Sequence, residues 1–140
     1  MSGYVGEKAT IRGWFRDGWE SGVPIHLIEG SAFKDKPTNA PWARLAIRPR
    51  EARVASVGGP TAVNFRHDGD IILEIFTPDG LGDGRATELA DLGCSIIRGK
   101  QDGGIVCWSA RAIPLGTRDG WVRVNVIGPY QRDEQFSVSS

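Results

Sequence analysis

Few side chains in this chain have the type and spacing for chemistry: His26 and His67, Cys94 and Cys107, and the glycine-rich run GLGDGRA at residues 80–86. A histidine acts as a nucleophile's base only when folding brings a Ser or Cys beside it. His26 alternates within a short apolar stretch. His67 stands in His67-Asp68-Gly69-Asp70, which reads as a tight turn. Turn or surface duty is the expectation for both, with a small histidine-dependent enzyme as the alternative from another class. The cysteines have no metal-ligand spacing, and HExxH, CxxC and clustered Asp/Glu sets are absent from the sequence, so no metal or cofactor is expected. Lying in a predicted helix and a predicted strand, the two thiols are expected to be buried and free, in a reducing compartment.

GLGDGRA follows an apolar strand and opens a helix, the context a phosphate-binding loop requires. A P-loop would continue as Gly-Lys-Ser or Gly-Lys-Thr, but here Gly84 is followed by Arg85 and Ala86. The third glycine of a dinucleotide fingerprint is also missing, and Asp83 would repel a phosphate at the helix start. The run therefore reads as a strand-to-helix turn with Asp83 as N-cap.

Arg44, Arg48, Arg50, Arg53 and Arg66 gather positive charge on one stretch. They offer either a docking surface for an acidic partner or a solvated strand face paired with Glu51 and Glu74. The second reading is preferred for Arg44 and Arg48. Seventeen basic residues balance seventeen acidic ones, whereas a dedicated nucleic-acid binder carries a basic excess.

Several elements must position these groups. Ile11, Trp14, Phe15 and Trp19 form an apolar stripe over about Tyr4 to Trp19, predicting a helix that ends at Gly18, Gly22 and Pro24. VPIHLI is a short strand, and EGSAFKDKPTNAPW a loop. In Trp42 to Arg48, Ala43, Leu45 and Ile47 face one way and Arg44 and Arg48 the other, with Pro49 marking a bend or an edge. Arg50 to Val57 and Thr61 to Arg66 pair across Gly58-Gly59-Pro60 as a hairpin arm, too thinly apolar to bury itself. After the His67–Asp70 turn, Ile71 to Thr77 is a central strand. Ala86, Leu89, Ala90, Gly93, Ile96 and Ile97 line a second helix ended by Gly99. Ile105 to Ile113 and Trp121 to Ile127 form a last hairpin around GTRDG, with Val122, Val124 and Val126 inward.

The expected fold is α+β: a mostly antiparallel or mixed sheet with two helices on one face and a protruding hairpin arm at about 50–66. Residues 1–130 form a single domain, as suits 140 residues, and 131–140 a flexible tail fraying after Tyr130. Trp42 and Trp121 fall on the polar faces of their strands and need a cover, either the 29–41 loop or a neighbouring subunit. The charged N-terminus does not read as a signal peptide and no stretch reaches transmembrane length, so folding in the cytoplasm is expected.

From Trp42 to Glu134 the sequence resembles the tail-terminator proteins of long non-contractile-tailed phages and of related prophages and gene transfer agents. The resemblance is carried by WARLAIRPREARVASVGG, FRHDGDIILEIFTPDGLGDGRATELAD, IIRGKQDGGI and GWVRVNVIGPYQRDE. It implies a non-enzymatic virion protein at the head–tail interface, assembled in the host bacterial cytoplasm. Such proteins form a homo-hexameric ring on the last ring of the major tail tube protein. The ring stops polymerisation and offers the surface that the head-completion or neck protein joins, and DNA passes through without specific binding. On that reading Arg50, Glu51, Arg53, Arg66 and His67 are candidate subunit or tail-tube contacts. A head-closure or other neck protein is the structural alternative.

Overall fold

The computed structural model describes residues 3–27, 37, 39–57 and 62–137. In chain order the elements are α1 (Gly3–Gly18), β1 (Ile25–Leu27), β2 (Trp42–Val57), β3 (Ala62–Pro78), a 3-10 turn (Asp79–Leu81), α2 (Gly82–Ile97), β4 (Lys100–Asp102), β5 (Ile105–Cys107), β6 (Arg111–Arg118) and β7 (Trp121–Ser137). The strands form one mixed sheet in the order β1-β2-β3-β7-β5-β4, with β6 also on β7. Among the described residues only the β1–β2 pair is parallel. The architecture is the expected α+β, with both helices on one face.

Alternation explains the layering. Ala43, Leu45 and Ile47 of β2, Ile71, Leu73 and Ile75 of β3, and Val124 and Val126 of β7 lie side by side in register and are all buried. The stripes predicted for both helices close over them: Ile11, Trp14 and Phe15 from α1, and Ala86, Leu89, Ala90, Ile96 and Ile97 from α2. Close approach is set by Gly128, where a side chain would strike Ile97 and Cys107. Both cysteines are free and buried.

The structure corrects six local expectations. His67-Asp68-Gly69-Asp70 is not a turn, because β3 runs straight through it. Gly69 serves close approach instead: a Cβ there would overlap the Tyr130 ring lying across from it. The tail does not fray after Tyr130, since β7 continues to Ser137 and pairs Gln131–Ser137 with Asp68–Ala62. Arg50–Val57 and Ala62–Arg66 are therefore two strands of a three-stranded ribbon rather than a two-stranded arm, and the 58–61 corner lies outside the described residues.

The α2 N-cap is Leu81 without a side-chain cap, because the 3-10 turn runs directly into the helix and leaves Asp83 inside it. Ile105–Ile113 is two strands. After Cys107 the chain leaves the sheet, its Ser109 carbonyl accepting from Cys107 Sγ at 3.3 Å and its Ala110 carbonyl from Arg98 at 2.8 Å. The last hairpin's turn shrinks to Asp119-Gly120, both at positive φ, since Arg118 already pairs with Trp121. Pro49, expected at a bend or edge, sits beside a register shift in β2.

Candidate interaction site

The five candidate contact residues lie near one end of the long strands but do not share a face. Arg50 is exposed, with Nε 3.3 Å from Asp70 Oδ2 on the face away from the helices. Arg66, on that same face, grips Asp133 through Nε at 3.0 Å and Nη2 at 3.4 Å. This bidentate bond raises the guanidinium pKa further above its ordinary value. Glu51 and Arg53 are placed by backbone pairing alone, opposite Asp68 and Arg66; their side chains lie outside the described residues. His67, one residue from Arg66, points to the helix face. Its Nε2 is 3.0 Å from Glu134 Oε2, and its ring meets Tyr4 edge-on at 5.6 Å.

His67 belongs to a buried junction between α1 and the ribbon. Glu7, 1% exposed, accepts from Arg132 Nε at 3.3 Å, and Arg132, 5% exposed, also donates through Nη1 to Glu134 at 3.0 Å. The Arg132 guanidinium lies 5.9 Å from the Tyr4 ring centroid. Tyr130 Oη is buried beside Glu7 without the geometry of a hydrogen bond, and burial followed by that carboxylate's charge pushes its phenol well above its ordinary range. Two carboxylates therefore face one guanidinium and one imidazole. The junction ties the first turns of α1 to β3 and β7.

This junction was missed because Arg132 and Glu134 were read as tail. Two signals were present. The alternation of Val122, Val124 and Val126 continues through Tyr130, Arg132 and Glu134, and Glu7 sits one helical turn before Ile11 on the apolar stripe of α1.

At the opposite end of the strands, away from the helices, three aromatic residues gather. Trp42 stacks on Phe76 at 4.2 Å and 7°, and Trp121 meets Trp42 edge-on at 6.3 Å. Arg44 is paired with Glu74, as expected, and its guanidinium lies 5.5 Å from the Phe76 centroid. With Arg118, Asp119 and Arg123 these residues line a cavity of about 330 Å³. Among the described residues Arg118 Nε approaches Asp119 to 3.8 Å, and Arg123 Nε is buried without a hydrogen-bond partner. Trp42 and Trp121 do lie on the face predicted for them and meet each other there, while most of the 29–41 loop expected as a cover lies outside the described residues.

Other charges fix the scaffold. Arg85 at the start of α2 holds Glu20 beyond the end of α1, and this bond lowers the Glu20 carboxyl below its usual range. His26 lies in β1, opposite Arg44.

No family model matches the chain, and no curated protein matches it. A solved structure of a protein without a descriptive name is similar, with a TM-score of 0.63 at 16% identity, covering 89% of this chain and 94% of that one. That likeness is one of fold.

Proposed function

We propose that this chain is a tail-terminator type of structural protein, which assembles as a ring on the end of a phage tail tube and presents the surface for head joining. The observation that carries the reading is strand length. β2, β3 and β7 run 16, 17 and 17 residues, against about 5–6 for an ordinary strand. They pair as one ribbon that continues past the row of His67 and Arg132, where the first turn of α1 already sits. Such an extension provides surface for a neighbouring subunit in a head-to-tail ring. Equal numbers of basic and acidic residues suit a conduit through which DNA slides, because every added phosphate contact strengthens retention. The sequence resemblance supports the same role, with the tube protein and a neck protein as partners.

Deleting the coding sequence from the genome that carries it and imaging the particles tests the proposal. Overlong tails are expected. Normal tails beside DNA-leaking heads would instead assign head closure, and unaltered particles would remove the chain from tail assembly.

A further inference from the structure

We propose that the cavity between Trp42, Phe76 and Trp121 receives the Arg66–Asp133 end of the ribbon from a second copy of this chain. The inference deepens the ring reading and rests on it. Both surfaces lie away from the helices but at opposite ends of the same strands: the cavity at the row of Trp42, Phe76 and Arg123, the charged end at the row of Arg53, Arg66 and Asp133. Arg118 pairs with Trp121, which pairs with Pro78. From that row to Arg66 is about 40 Å at roughly 3.3 Å per residue. A subunit's own ribbon end cannot reach its own cavity, whereas the end of another copy can. Joining two different surfaces makes the contact heterologous, and a heterologous contact closes into a ring when its rotation permits.

Charge offers a point of attachment for the same occupant. Three arginines line the cavity against one carboxylate, Asp119, and Arg44 is already engaged by Glu74. Arg118 is largely exposed and free to turn toward a ligand, and Arg123 Nε has no hydrogen-bond partner among the described residues. Asp133, 59% exposed at its side chain, bonds Arg66 among the described residues and retains lone pairs for a second guanidinium. Aromatic residues and arginine, which supply the cavity walls, are also the residues enriched where protein surfaces bury one another.

The test begins with Arg118→Cys and Asp133→Cys as separate single variants, mixed and oxidised. A disulfide requires Cα atoms within about 7 Å, so a covalent dimer that forms in the mixture but in neither variant alone reports the intermolecular contact. The native thiols are buried. In parallel, Arg118→Glu should weaken self-association by tenfold or more (about what one lost interfacial charge pair does), and adding Asp133→Arg should restore it. Light scattering up to about 1 mM protein half-populates even a millimolar contact.

Oligomers without the specific dimer, or with no charge-swap rescue, overturn the docking site and leave the ring reading standing. A monomer at every concentration overturns self-association through this contact. The tail-length phenotype then decides the ring reading separately.

Discussion

Replacing Arg132 by Met should be among the most damaging single changes to this fold, for a reason readable from the α1–ribbon junction. Among the described residues Arg132 is within bonding reach of Glu7, whose side chain is 1% exposed, and it also bridges to Glu134. Removing it strands a buried carboxylate, an event that costs about 3–5 kcal/mol. Unfolding entropy near 2.1 cal/mol/K per residue gives about 0.3 kcal/mol/K for this length, so Tm should fall by about 10–17 °C. The double variant Glu7→Leu with Arg132→Met removes both charges and leaves Glu134 to His67. Replacing a buried ion pair by apolar groups is often close to neutral, so the double variant should lie within about 1 kcal/mol of the parent. Urea unfolding followed by tryptophan fluorescence gives both values and the coupling between the sites. If Arg132→Met alone costs under about 1 kcal/mol, or the double variant is no more stable than the single, the junction is not the buried charge lock described here.

Gly69→Ala should destabilise by about 1–3 kcal/mol through overpacking against the Tyr130 ring, and by clearly less in a Tyr130→Leu background; equal costs in both would refute the close-approach role. Ending the chain after Tyr130 removes the strand partner of Ala62–Asp68 along with Arg132, so circular dichroism should show lost cooperativity or a drop of at least about 3 kcal/mol; near-parental stability would show that β7 ends where the expected tail begins. Burial pushes the Cys107 thiol up to about 11, leaving about one thiolate in a thousand at pH 8. Alkylation followed by mass spectrometry should therefore label Cys107 in urea but scarcely in buffer, and labelling at the free-thiol rate would contradict its burial.

Much of the fold was legible because its signals are local and periodic. The apolar stripe of each helix, the alternation in Trp42–Arg48 and the apolar run from Ile71 each follow from one element's own spacing. The failures share a cause: a partner distant in sequence outweighed a local signal. Asp68-Gly69-Asp70 carries turn chemistry, but the glycine is occupied by the approach of Tyr130, 61 positions later in the chain. Gln131-Arg132-Asp133-Glu134 looks like a solvated tail because its composition is polar, yet Arg132 is buried by pairing with Glu7 and Asp133 is fixed by Arg66. Of the candidate site, the arginine-bearing strand and the outward tryptophans were visible in alternation. The cavity that joins them was not, since it needs β2, β3 and β7 brought together in register.

The third strand alters what the ribbon asks of its surroundings. A two-stranded hairpin is marginal in water and would depend on a neighbour to stay folded. With Gln131–Ser137 paired along β3 and Arg132 tied back to α1, the ribbon has a hydrogen-bonded partner on each side of β3 and an ionic anchor at its base. Its order therefore no longer argues that a neighbour must cover it. At the other end of the same strands aromatic walls and three arginines surround a cavity, and Arg123 Nε is buried there without a hydrogen-bond partner among the described residues. A ribbon paired on both sides of β3 loses less conformational entropy on docking than an unpaired hairpin would. A head-to-tail contact joins two different surfaces of identical subunits, and in the proposed docking these are the ribbon end at Arg66 and Asp133 and the cavity at Trp42, Phe76 and Trp121.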